Sequence, residues 1–170
     1  SEFSDRSGIP CMLDVVGSTS KSINIFTDFV AGKTDGPILL DGVTGGVRME
    51  ALRFIRETGL NNRIIYNSLT PDSKPEEFEA IREAKLSSAI LLAYSPQDFT
   101  SQGRMRSLMH LLPRAEEAGI EKPLLDTYVL DLPSLGQACL AIYRAKDSLG
   151  YPVGCGAHNA LSTLKGLRGK

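Results

Sequence analysis

Five side chains able to make several hydrogen bonds stand at or just past the ends of short apolar runs: Asp14 in LDVVG, Asp41 in LLDGV, Asn67 in IYNSL, Asp126 in LLDTY and Asn159 in CGAHN. A carboxylate can accept two parallel bonds from an amidine-like edge, and an amide both donates and accepts. Such a set suits a neutral heterocycle carrying several N–H and C=O groups, of which a pterin is one. It suits a metal less well, because catalytic metal sites usually bring histidines and the chain has two, His110 and His158. No metal is therefore expected. His110 falls in a helical stretch and is expected on its surface, while His158 is a candidate acid or base with packing or capping as the alternative. GVTGG at 42–46 is a short glycine turn, and neither GxGxxG nor a Walker loop is present. Each of the five residues taken alone has an ordinary alternative, since Asp and Asn at a strand-to-helix junction often cap the helix or close a turn.

The elements that must position them follow a repeat. Six apolar runs, CMLDVV (11–16), PILLDG (37–42), RIIYNS (63–68), SAILLAYS (88–95), PLLDTYV (123–129) and YPVGCGA (151–157), have the length and unbroken hydrophobicity of strands buried on both faces, as parallel strands are. Amphipathic stretches lie between them. SKSINIFTDFV sets Ile23, Phe26 and Val30 on one expected inward face, VRMEALRFIRETG sets Val47, Ala51, Leu52 and Ile55, and PSLGQACLAIYRAKDSLG sets Leu135, Ala138, Ile142 and Ala145. PEEFEAIREA opens on a proline with acids in its first turn, and GRMRSLMHLLPRAEEAG is helical with Pro113 expected to kink or divide it. SEFSDRSGIP reads as the last turn of a helix ending near Gly8. The polar strand ends recur at roughly 26 to 33 residues, the rhythm of a (β/α)8 TIM barrel with units of about 31 residues. In a barrel all strand ends face one mouth, whereas a doubly wound sheet gathers only those near its switch point. The expectation is one α/β domain over residues 1–170, an incomplete barrel.

Composition bounds the partners. Nineteen basic and twenty acidic residues leave a net charge of -1 in 170 residues, so no strong field attracts nucleic acid or an anionic membrane. No apolar run is long enough for a membrane span, and a cytoplasmic protein is expected. Cys11, Cys139 and Cys155 form no CxxC pair and are expected as small core residues in a reducing compartment.

FVAGKTDGPILLDG, GLNNRIIYNS, AILLAYSPQD, EEAGIEKPLLDT, LPSLGQA and YPVGCGAHNA together resemble the H subunit of tetrahydromethanopterin S-methyltransferase and its relatives, among them the methyltetrahydrofolate:corrinoid methyltransferases. The resemblance covers nearly the whole chain in order. It implies a pterin-binding TIM barrel that moves a methyl group between N5 of tetrahydrofolate or tetrahydromethanopterin and the cobalt of a corrinoid (cobalamin-type) protein, with other methyltransferase subunits as partners and a homodimer as the expected assembly. Carried onto this chain, the family's pterin-binding residues fall on Asp41, Asn67, Asp126 and Asn159, with Asp14 at the position of a further carboxylate and Asn159 as the catalytic group near N5. The family often has Ser after the first of these carboxylates, where this chain has Gly42. The strands present correspond to the second to seventh, leaving the first and eighth outside the chain. Two rival readings are a non-catalytic pterin-binding subunit of a larger complex and a barrel of dihydropteroate synthase type. The second would want basic residues for a diphosphate, and no strand end shows one in sequence.

Overall fold

In the computed structural model the described residues are 2–162. A short helix α1 (Glu2–Ser7) ends at Gly8, whose φ of +69° is the left-handed stop read from the sequence. Then come β1 (Leu13–Gly17), α2 (Ser20–Ala31), β2 (Ile38–Gly42), α3 (Gly45–Thr58), β3 (Ile64–Leu69), α4 (Pro75–Glu83), β4 (Ser88–Leu92), α5 (Ser101–Glu117), β5 (Lys122–Asp126), α6 (Leu132–Leu149), β6 (Val153–Gly154) and α7 (Asn159–Ser162). The strands stand in one sheet in the order β1-β2-β3-β4-β5-β6. The pairs β1/β2, β2/β3 and β5/β6 are parallel. A sheet whose spatial order is its chain order, with a helix between successive strands, has no switch point. That is the winding of a (β/α)8 segment rather than of a doubly wound sheet.

The chain divides into two compact units, Ser1–Asn67 with Ser73–Ala89 and Ala118–Glu121, and Ser68–Asp72 with Ile90–Glu117 and Lys122–Lys170. In the first, Ile38 and Leu40 of β2 are fully buried, and so are Ile55 of α3 and Ile81 of α4. Each such side chain contributes roughly 1.5–3 kcal/mol by leaving water. In the second, Leu108 and Leu111 of α5 and Ala138, Ala141 and Ala145 of α6 are fully buried. The alanine stripe lets α6 come close to α5, where Ser101 N–H donates to Gln137 Oε1 at 2.8 Å and Arg144 Nη1 to Ser101 Oγ at 2.9 Å. Pro113 stands inside α5 without dividing it. Among the described residues no helix is long and apolar enough to cross a membrane.

Three expectations are corrected. On α2 the buried line is Ile23 and Thr27, while Phe26 is 49% exposed. The cause is Gly17 at the end of β1. A Cβ there would lie 2.4 Å from Ile23 Cβ and 2.7 Å from its Cα, so the missing side chain lets α2 press its Ile23 edge onto the strand. Phe26 is one residue, or about 100°, off the Ile23/Thr27 line. Cys11 and Cys139 are exposed and so are not core residues, whereas the half-buried Cys155 packs against the core cluster of Val129, Ala138 and Ala160 as expected. Cys139 misses the stripe of Ala138 by the same rotation. The last run is the third: β6 is two residues long and leaves the sheet at Gly154, well short of Ala157. Replacing Gly17 by Ala is expected to cost about 1–3 kcal/mol, because backbone as well as side-chain atoms of Ile23 must move. Chemical denaturation measures it, and an unchanged midpoint would mean that β1 and α2 do not meet as described.

Candidate functional site

Asp41 and Asn67 are opposite each other in the β2/β3 register, and both belong to the ends of their strands. Neither caps the helix that follows. Thr44 caps α3, its Oγ1 accepting from Val47 N–H at 3.3 Å, and the N-cap of α4 is Lys74, seven residues beyond Asn67. Burial pushes the Asp41 carboxyl above the usual range. The nearby Asp14 carboxylate pushes it further in the same direction, and Arg48 opposes both. Asp14 itself is exposed and is the second residue of β1, pairing with Leu39, so it stands two residues short of the row that joins Val16 to Asp41. It is therefore not at the strand's end, where the apolar run CMLDVV suggests it should be. Cys11 and Met12 ahead of it are exposed and precede the sheet, which begins at Leu13.

Behind Asp41 stands a polar cluster that sequence reasoning missed. Arg48, on the first turn of α3, donates from Nη1 to the Gly42 carbonyl at 2.6 Å and from Nη2 to Glu77 Oε1 at 3.1 Å. Tyr66 O–H donates to the same Glu77 oxygen at 2.5 Å, and the guanidinium lies over the Tyr66 ring at 5.2 Å. Glu77 and Tyr66 are buried, and burial pushes the Tyr66 phenol well above its ordinary value. The cluster also explains Gly42: a Cβ there would be 2.7 Å from Arg48 Cγ and 3.1 Å from its backbone N. The serine common in the resembling family does not fit while Arg48 is in this place.

In the second unit β5 ends at Asp126, whose register partner is Gly154. Asp126 is not the cap of α6 either, since Asp131 accepts from Ser134 N–H at 2.9 Å in a capping box. One Asp126 oxygen, Oδ1, accepts from Tyr128 N–H at 2.7 Å and closes the turn after the strand. Burial raises its pKa and that bond opposes the rise. The nearby Cys155 thiol is raised by burial, with Asp126 adding to the effect. Asn159 is placed differently from the sequence reading. It opens α7 rather than ending a strand, with its N–H donating to Gly156 O at 3.0 Å, because β6 has already ended at Gly154. Asn159 is half-buried and His158 exposed, and a Cβ on Gly156 would be 3.2 Å from Asn159 Nδ2, so the glycine leaves room for the amide. His110 is on the exposed face of α5. Among the described residues no group of three or more His, Cys, Asp and Glu side chains could hold a metal ion.

A parallel α/β repeat whose strands succeed one another in chain order defines the class, a barrel-type α/β protein. The particular family follows from comparison. A family model described as the tetrahydromethanopterin S-methyltransferase MtrH subunit matches residues 1–170, and the chain belongs to that family. Among curated relatives, the H subunit of tetrahydromethanopterin S-methyltransferase from Methanopyrus kandleri is 36% identical over 98% of this chain and 55% of its own length. Its counterpart in Methanocaldococcus jannaschii is 36% identical with the same coverage. That of Methanothermobacter thermautotrophicus is 35% identical over 98% of this chain and 57% of its own. The chain thus spans just over half the length of the curated relatives it matches.

A pH test follows from the two raised carboxyls. A group whose folded pKa lies above its unfolded value contributes stability that is full below the unfolded value, about 4 for Asp, and is lost as pH rises through the folded value. Asp126→Asn removes that loss while keeping an oxygen for Tyr128 N–H. It is expected to raise the melting temperature at pH 7 and to change it little at pH 3.5. Equal shifts at both pH values in thermal scans would show that ionisation of Asp126 is not what the fold resists.

Proposed function

We propose that this chain supplies the pterin-binding surface of a methyltransferase that moves a methyl group between N5 of tetrahydromethanopterin and a corrinoid protein. The observation that carries the reading is the whole-chain family match, whose relatives are named for tetrahydromethanopterin, together with carboxylates at strand ends that no helix cap consumes. Asp126, with Oδ1 held by Tyr128 N–H and its second oxygen beside it, is assigned the amino-pyrimidine edge, where two parallel bonds to one carboxylate fix the ring in its plane. Asp41 and Asn67, paired across β2 and β3, are assigned ring N–H and C=O groups, and Asp14 a longer-range electrostatic part through Asp41. Asn159 is assigned to N5. That nitrogen is a poor leaving group until it gains positive character, and an amide can offer N–H2 or C=O to it as its protonation changes. The corrinoid, carried by a partner subunit, supplies the cobalt nucleophile or the methyl donor according to direction. Tetrahydrofolate is the competing carrier.

The test is single-turnover methyl transfer between methyl-tetrahydromethanopterin and cob(I)alamin with the full-length protein, followed by the absorbance of methylcobalamin. Transfer is expected with tetrahydromethanopterin in preference to tetrahydrofolate, and the absence of transfer with both, alongside pterin binding, would favour a non-catalytic subunit. Asp126→Ala is expected to weaken pterin binding by roughly 2–3 kcal/mol in calorimetric titration, since the charge-assisted pair is lost and the pterin N–H groups lose their acceptor. Asn159→Ala should bind methyl-pterin within a few-fold of wild type yet transfer on the order of a hundredfold more slowly, because its bond strengthens as charge develops at N5. Affinity and rate falling together would make Asn159 a plain binding residue.

A further inference from the structure

We infer that Arg104 is a positioning residue for Asp126, acting through Tyr128; the pterin reading above supplies its functional consequence. Arg104 lies on the first turn of α5 and is fully buried. Its Nε donates to the Thr127 carbonyl at 2.7 Å, another guanidinium nitrogen donates to the Phe99 carbonyl, and its carbon stands 4.1 Å from the centroid of the Tyr128 ring. Among the described residues it makes no ion pair, and Nη2 is buried without a hydrogen-bond partner. A buried cation without a counter-ion costs free energy, so it persists only where the carbonyl dipoles and the ring face it holds are themselves needed.

What it holds is strained. Tyr128 has a φ of +40°, in the left-handed region where a tyrosine rarely rests and where strain points to a function. Tyr94 packs its ring edge-on against Tyr128 with centroids 5.3 Å apart, and Thr127, between Asp126 and Tyr128, is itself buried with its N–H on Gly154 O at 2.9 Å. The Thr127 carbonyl that Arg104 holds and the Tyr128 N–H that donates to Asp126 Oδ1 belong to one peptide plane, so the guanidinium fixes the direction of that N–H while Tyr128 stays at positive φ. Released, that peptide plane flips, which takes Tyr128 to negative φ and its N–H off the carboxylate, and the carboxylate is then free to rotate. The clamp therefore converts a mobile acid into a fixed two-oxygen acceptor, the property that in-plane recognition of an amidine-like edge requires. The other ionisable groups facing this turn are Tyr94 and Asp98 from the segment between β4 and α5, and Cys155 after β6. None of them changes in the variants below.

The experiment reads Asp126 directly, by 13C NMR titration of its carboxyl in the full-length protein, alongside its dissociation constant for tetrahydromethanopterin. Arg104→Lys keeps the charge but cannot stack and serve two carbonyls. It should raise the Asp126 midpoint by about 0.5 pH unit or more, as the bond favouring the carboxylate is lost, and weaken pterin binding about tenfold. Adding Tyr128→Gly, which takes positive φ without strain, should return both to near wild type. In the wild-type background Tyr128→Val should reproduce the rise and Tyr128→Gly should not, so the inference stays open to refutation even if the arginine variant fails to fold. A wild-type midpoint in Arg104→Lys, or equal midpoints in the valine and glycine variants, would overturn it. A raised midpoint with pterin affinity unchanged in both Arg104→Lys and Asp126→Ala would keep the positioning role and remove the pterin assignment.

Discussion

Taking a carboxylate out of water at the end of a buried strand is the constraint around which the ends of β2 and β5 are arranged. Asp41 and Asp126 are each raised chiefly by burial, and among the described residues neither has an ion-pair partner to cancel the cost. Arg48 is near enough to Asp41 to oppose the rise, yet its hydrogen bonds go to Gly42 and Glu77. Asp126 receives a single backbone N–H from Tyr128. A salt bridge would have stabilised each charge and spent the acceptor lone pairs at the same time. The arrangement seen leaves both carboxylates short of donors, which is what a ligand rich in N–H groups would supply.

Each of the two strand ends is then steadied from the helix that follows a strand. Arg48 on α3 takes the carbonyl after Asp41, and Arg104 on α5 takes the carbonyl after Asp126. Both place a guanidinium over an aromatic ring, Tyr66 in one unit and Tyr128 in the other. Arg48 has Glu77 as a buried counter-charge and Arg104 has none among the described residues, so the two devices share a form and differ in electrostatic completeness.

Much of this was legible in the sequence, for reasons that can be named. Asp41, Asn67 and Asp126 follow apolar residues directly, and the sheet register runs through them, so a residue inside a buried run was placed correctly at the strand end. Asp14 and Asn159 were placed less well because the runs that carry them are not strand throughout: Cys11 and Met12 precede the sheet, and the glycines around Cys155 follow it. The inward face of α2 was misjudged at Phe26 because the deciding fact is a close approach to Gly17, which periodicity does not contain. The arginines were overlooked because a cation is normally counted as surface. Their signal was positional. Arg48 heads the stripe Ala51, Leu52 and Ile55, and Arg104 heads Leu108, Leu111 and Ala115, each at helical spacing from residues that proved buried.

The crowding between Gly42 and Arg48 sets an order in which this strand end can drift. Any side chain at 42 meets Arg48 Cγ at 2.7 Å and the α3 backbone just beyond, so a hydroxyl cannot be gained there while the arginine remains. Losing the arginine first strips Glu77 of its cation and leaves a buried charge whose hydrogen bonds among the described residues come from the Tyr66 hydroxyl and, more loosely, the Lys74 N–H. A lineage moving from the glycine form to the serine form must therefore change positions 42, 48 and 77 nearly together. The two forms are separated by a valley that single substitutions do not cross easily, and the residue beside Asp41 is inherited as part of a set.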